Sequence, residues 1–130
     1  MPMETRTTIH DLLESARRTL RRVSASQAQR AYRRGAVLVD TRSEEQRRSQ
    51  GLIPGARHHP LSVLEWRLDP TSRHRDPEVS LDDEVIIICA QGFSSSLAAA
   101  RLKSLGFAQA TDLIDGVEGW RAAGLPLLSQ

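Results

Sequence analysis

Cysteine is nearly missing from this chain: Cys89 stands alone among 130 residues. One thiol closes no internal disulfide and supplies no structural zinc site, so a stapled secreted scaffold and a zinc module are both excluded. Aromatic residues make up only 4% (Tyr32, Trp66, Phe93, Phe107 and Trp120). That removes the stacking platforms that binders of single-stranded nucleic acid interleave with their basic residues. Lys103 is the only lysine among 18 basic residues, so arginine carries nearly all the positive charge. No apolar run approaches the roughly 20 residues needed to cross a bilayer; the longest strong one, Val85 to Cys89, is strand-sized. Met1-Pro2-Met3-Glu4 shows no basic-then-apolar leader, so secretion is not expected and a cytoplasmic location is.

What remains is an ordinary globular composition, 39% hydrophobic and 26% charged. The length suits one domain burying roughly two-thirds of its unfolded surface. The net charge of +2 is unevenly placed. Residues 1–34 hold eight arginines against Glu4, Asp11 and Glu14, an excess of five positive charges that the rest of the chain offsets with three negative ones. Such a face can meet nucleic acid or an acidic partner. Arginine is abundant throughout and only Tyr32 lies nearby, so the pattern reads as a solvated helix surface. Nucleic acid is not expected, and a protein partner on this face stays open.

Ile9, Leu12, Leu13, Ala16, Leu20 and Val23 recur at helical spacing and predict an amphipathic helix over 8–22. Ser24 or Ser26 can cap a second helix that stops at Gly35. Val37 to Asp40 reads as a short strand covered on both faces, and Ser43-Glu44-Glu45-Gln46 as a capping box. An irregular stretch with His58 and His59 follows, then a helical turn or two over 61–68. Glu84 to Cys89, β-branched and uninterrupted, is the strongest strand, followed by a helix over 95–105, a strand over 111–114 and a last helix over 117–123. Strands alternating with helices predict an α/β fold: a parallel sheet with helices on both faces.

Chemistry is expected at the carboxyl ends of such strands, where Cys89 sits before a loop that feeds a helix. A loop from Cys89 into the helix can aim several backbone N–H groups at one point. With the helix dipole, that favours thiolate over thiol. Gly92 lets the backbone turn in without a Cβ clash, and Ser94 and Ser95 can add hydroxyl donors. The same pattern also fits a small, inert buried thiol with Gly92 as a plain turn residue, and spacing leaves both readings open. Asp40 and Arg42 end the first core strand on the same edge as Cys89, either charging the active loop or holding each other. His58 and His59 have no spaced partners for a metal and point opposite ways on an extended segment, so no metal site is expected. Trp66 and Trp120 are expected to pack helices or rim the pocket.

Five segments in order resemble a rhodanese domain, the sulfurtransferase fold, over about residues 24–128. They are Val37-Leu38-Val39-Asp40-Thr41-Arg42, Gly51-Leu52-Ile53-Pro54-Gly55-Ala56, Val85 through Ser95, Leu102 through Phe107, and Leu113 through Trp120. The resemblance implies a doubly wound fold and a division into an N-terminal helical extension (1–23) and a rhodanese-like domain (24–130). It implies that Cys89 accepts a sulfane sulfur as a persulfide and passes it to a thiol or cyanide. Ala90, Gln91, Gly92, Phe93, Ser94 and Ser95, with Asp40 and Arg42, would then bind substrate, and no metal or organic cofactor is needed. Partners would be a small-molecule sulfur donor, such as thiosulfate or a persulfide, and a thiol acceptor, with no membrane.

The chain departs from the family at three positions. Ser94 stands where many single-domain members carry arginine, Ala90 where a basic residue is frequent, and Leu52 where histidine is common. Neutral loops ending in Ser or Thr also occur among mercaptopyruvate sulfurtransferases, but loss of a guanidinium clamp should weaken binding of dianionic thiosulfate. A binding or regulatory module with little turnover is therefore one alternative. A phosphatase or arsenate reductase is another, disfavoured by a loop one residue shorter than in the related phosphatases.

Overall fold

A computed structural model describes residues 5–130; Met1 to Glu4, on which the expectation of no leader rests, lie outside the described residues. The elements run α1 (Ile9–Arg17), α2 (Ala25–Arg33), β1 (Val37–Asp40), α3 (Glu44–Gln50), β2 (Arg57–His58), a 3-10 turn (Leu61–Val63), α4 (Leu64–Leu68), β3 (Val85–Ile88), α5 (Ser94–Ser104), β4 (Ala110–Asp112) and α6 (Gly116–Ala122). Three helix starts are written in side chains. Thr8, Ser24 and Ser43 each accept from the backbone N–H three residues on, while Asp11, Gln27 and Gln46 return the bond to the cap's own N–H. A cap of this kind is worth about 1 kcal/mol.

The four strands are all parallel in the order β2-β1-β3-β4. Side chains alternate across them and build two cores. Leu38, Ile86 and Ile88 meet Ala28, Ala31, Val117 and Trp120 of α2 and α6 on one face. Val39, Val85 and Ile87 meet Leu64, Leu68, Ala98, Ala99 and Leu102 of α4 and α5 on the other. The fold is thus the expected doubly wound α/β architecture. From β1 the chain moves outward to β2, then returns past β1 to β3, so the sheet's direction of growth reverses between β1 and β3. The crevice beyond the carboxyl ends of those two strands is where such a fold places its ligands.

The first helix differs from expectation, ending at Arg17 instead of continuing to residue 22. Leu20 packs with the core under α5, whereas Val23 packs with the opposite core. A single helix cannot serve both layers. The segment instead descends to the sheet edge, where Val23 N–H donates to the Asp112 carbonyl (3.1 Å) and Ile114 N–H to the Val23 carbonyl (2.8 Å). The last strand starts one residue early, at Ala110, and β2 arises in the stretch read as irregular. Trp120 is buried, its indole N–H donating to the Pro126 carbonyl (2.8 Å), but Trp66 is exposed.

The two histidines do point apart. His58 reaches the Arg42 carbonyl (2.8 Å), and buried His59 reaches the Asp76 carboxylate (2.9 Å). Burial lowers the His59 pKa, with Arg67 and Arg57 adding to it against the opposing pull of Asp76. Burial raises the Asp76 carboxyl, but the Glu78 N–H, His59 and Arg57 outweigh it and hold it low. Neutral His59 therefore stabilises the fold above its unfolded pKa of about 6.5 and loses that contribution as pH falls. Melting temperature should drop more steeply between about pH 7 and 5 in the wild type than in His59→Gln.

Candidate active site

Alternation along β3 turns Cys89, two residues beyond Ile87, toward α5, and the thiol is 7% exposed. The loop after it is held from behind by its carbonyls. Cys89 and Ala90 carbonyls accept from the Val117 and Glu118 N–H groups at the start of α6 (3.0 and 3.2 Å). The Gly92 carbonyl accepts from Arg17 Nη2 (2.7 Å) and Arg22 Nη2 (3.0 Å). With three carbonyls anchored in this way the loop is fixed in place, and Gly92 N–H donates to Cys89 Sγ at 3.2 Å. Gly92 has φ +88°, and a Cβ there would lie 2.7 Å from the Asp115 backbone nitrogen. Only glycine fits that turn.

Burial pushes the Cys89 thiol up, but hydrogen bonds from the Ser95 hydroxyl and N–H, the Ser94 hydroxyl and the Gly92 N–H outweigh it and hold the pKa below its ordinary value. The 11-residue α5, starting at Ser94, adds the positive end of its dipole. Thiolate is the nucleophilic form of cysteine, and these hydrogen bonds favour it. As a thiol, Cys89 donates to Ser95 Oγ (3.2 Å), which donates onward to Asp112 Oδ2 (2.7 Å).

A cavity of about 430 Å³ opens over the sulfur. Thr41, Ser43, Gln46, Pro60 and Leu61 line one side, with Ala90, Gln91, Phe93 and Ser94 on the other. Arg42 lines it and Asp40 does not, and the two charges turn inward onto each other. The Arg42 guanidinium is fully buried and donates to both Asp40 oxygens (3.0 and 2.8 Å), the Gly51 carbonyl (2.7 Å) and Gln50 Oε1 (3.3 Å). This is the structural arrangement of the pair, holding the end of β1 to the turn at Gly51. Phe93 is exposed at the rim beneath the Arg17 guanidinium, 5.9 Å from its ring centre.

The model of the rhodanese-like domain matches residues 24–123, three-quarters of the chain. The chain belongs to the rhodanese-like domain family. The thiosulfate sulfurtransferase GlpE of Ectopseudomonas mendocina is 39% identical over 103 residues, covering 78% of this chain and 85% of that protein. This rhodanese domain is accordingly a sulfurtransferase of the rhodanese type. Among solved structures, a Rhodopseudomonas palustris protein of unknown function, described as a possible tyrosine phosphatase, superposes with a TM-score of 0.86 at 28% identity, covering 98% of each chain. The polysulfide-sulfur transferase of Wolinella succinogenes shares the fold (TM-score 0.70, 20% identity, 91% of this chain and 85% of that one).

The structure joins to this rhodanese site four residues that the sequence reading passed over: Arg17, Arg22, Ser96 and Asp112. Only one signal was available. Asp112 stands two residues after Ala110 in a strand beside β3, hence on the same inward face, and a carboxylate there needs a buried partner.

Proposed function

We propose that this enzyme moves a sulfane sulfur from a small donor, thiosulfate or a low-molecular-weight persulfide, to a thiol through a persulfide on Cys89. The thiolate attacks the outer sulfur of the donor and forms a new S–S bond. The donor's own S–S bond breaks, and its electron pair leaves with sulfite or a thiolate. The terminal sulfur of the Cys89 persulfide carries the negative charge and takes up the N–H and hydroxyl dipoles that held the thiolate. An acceptor thiolate then attacks that outer sulfur, which leaves as the acceptor's persulfide and restores Cys89 thiolate. No external oxidant or reductant enters either step. A nucleophile reused in this way gives ping-pong kinetics. A thiol that must stay reduced also supports a cytoplasmic setting.

The observation that carries this reading is the sulfur-facing loop: Gly92 N–H on Sγ, with the carbonyls of Cys89, Ala90 and Gly92 tied behind it. Intact-protein mass spectrometry after treatment with each donor should show a gain of one sulfur atom that a thiol acceptor removes. No gain with any donor would overturn the reading; a gain that no thiol discharges would make the protein a sulfur-binding module. Its likeness to the Rhodopseudomonas palustris protein raises a phosphatase as the second reading. Hydrolysis of a small aryl phosphate faster than sulfur transfer would favour it.

No charged side chain of the cavity lining faces Sγ, since its one arginine, Arg42, is buried among its own partners. Thiosulfate must then bind through dipoles alone. Ser94→Arg should raise kcat/KM for thiosulfate about tenfold relative to that for a neutral-bodied persulfide donor, the effect of one charge-assisted contact, since loss of the Ser94 hydroxyl acts on both donors alike. Parallel assays of the two donors check it.

A further inference from the structure

A fully buried charge near the sulfur takes no part in the sulfur-transfer steps. Asp112 is completely enclosed, and its carboxylate accepts four hydrogen bonds. Arg22 Nε reaches Oδ1 (2.9 Å); Arg22 Nη2 (3.2 Å), Ser95 Oγ (2.7 Å) and Ser96 Oγ (2.8 Å) reach Oδ2. The same Arg22 Nη2 donates to the Gly92 carbonyl, and Arg17 bridges that carbonyl to Ser96 Oγ (3.1 Å). One network therefore touches two of the groups around Cys89 Sγ: the Ser95 hydroxyl directly, and Gly92, whose N–H meets the sulfur, through its carbonyl.

Ser95 has a single hydroxyl proton. In the thiol state it goes to Asp112 while the oxygen accepts from Cys89 S–H. Once the sulfur is a thiolate or a persulfide, the proton must turn toward sulfur. Asp112 can release it because Arg22 and Ser96 continue to satisfy the carboxylate. A carboxylate two hydrogen bonds from the sulfur would on its own disfavour the thiolate. The bidentate Arg22 guanidinium cancels that charge where it arises.

We propose that Arg22 and Asp112 are positioning residues for the sulfur-transfer reaction, setting the proton of Ser95 and anchoring Gly92 at its carbonyl, so that the segment after α1 belongs to the catalytic frame. This rests on the reading of Cys89 as the sulfur carrier. The other charges around the loop are Arg17 on α1, the mutually bound Asp40 and Arg42 at the end of β1, and exposed Asp115 and Glu118 at the start of α6. Among the described residues none of these side chains hydrogen-bonds Sγ or Asp112.

The test is the pH dependence of Cys89 alkylation by iodoacetamide, which reads the thiol without requiring transfer. Asp112→Asn keeps the hydrogen bonds to Ser95 and Ser96 but leaves Arg22 uncancelled, so the midpoint should fall by about one pH unit. Arg22→Met exposes the sulfur to the carboxylate, and the midpoint should rise by about as much. The double variant, which buries no unpaired charge, should return near wild type. If Arg22→Met does not fold, Asp112→Asn must still titrate below the double variant. Midpoints unmoved in Asp112→Asn, or moved in the same direction by both single substitutions, would overturn the proposal, since loosened packing alone produces no opposed pair of shifts. Failure of Cys89 to take up sulfur would sink the functional reading while leaving these titrations as they stand, and flat titrations in a protein that does take up sulfur would sink only the positioning role.

Discussion

Cys89→Ser should leave a folded protein that gains no sulfur and transfers it at least about a thousandfold more slowly than wild type, a barrier increase of roughly 4 kcal/mol. The reason is in the sulfur's surroundings. The Gly92 N–H, the α5 N-terminus and the Ser94 and Ser95 hydroxyls favour a negative charge on the thiol, a group whose ordinary pKa is only about 8.5. A hydroxyl starts far higher and stays protonated, so the same dipoles find no anion to stabilise. Stability should hardly change, because a serine oxygen can accept from Gly92 and bond Ser95 as the sulfur does. Persulfide mass, cyanide- or thiol-linked turnover and thermal unfolding on one preparation separate these effects. Transfer above a tenth of wild type would show that the sulfur passes elsewhere.

Most of the frame around Cys89 was legible because it rests on local signals. Val37 to Val39 and Val85 to Cys89 are continuous, largely β-branched apolar runs, as strands covered on both faces use. Ser24 and Ser43 announce helices by capping, and the structure shows both capping boxes closed. The position of Cys89 at a strand end before Gly92 and a helix likewise needed no tertiary knowledge. The failures share one cause. Val23 has helical spacing from Leu20 but takes its partner from Leu113, just beyond β4 and 90 residues away in sequence, and a backbone pairing at that distance leaves no periodic trace. Arg57 and His58 form a strand only because Val39 and Asp40 lie beside them.

Charges were harder to read than strands, for the same reason. Arg17 and Arg22 look like members of a solvated arginine stripe, but they turn inward onto the Gly92 carbonyl, and Arg22 also pairs with Asp112. Arg42 lies on the expected edge of the crevice yet turns its guanidinium away from it to Asp40. In both cases the deciding quantity is where buried carbonyl and carboxylate groups demand a partner. The outcome is a pocket whose electrostatics come from peptide and hydroxyl dipoles facing the sulfur, with the full charges arranged one layer behind.

Gly92→Ala tests that arrangement at its narrowest point. The residue sits at φ +88°, and an added Cβ would fall 2.7 Å from the Asp115 nitrogen and 3.3 Å from Arg22 Nη2. The first neighbour is backbone at the start of α6 and cannot swing away, so the loop must move. A left-handed alanine alone costs about 1–2 kcal/mol. Moving the peptide also withdraws the N–H from Sγ and frees the carbonyl from Arg17 and Arg22. Loss of a preorganised donor at a developing charge typically lowers turnover about a hundredfold or more, and that is the fall in kcat/KM expected here. Alkylation of Cys89 at neutral pH should slow in the same variant. Gly124→Ala is the control, because φ there is +76° with nothing within 4 Å of an added Cβ. It carries the backbone strain without the collision and lies outside the loop, so it should lose stability on the same scale while keeping activity within about twofold of wild type. Equal losses of turnover in the two variants would mean that strain, not the aim of the Gly92 peptide, limits the reaction.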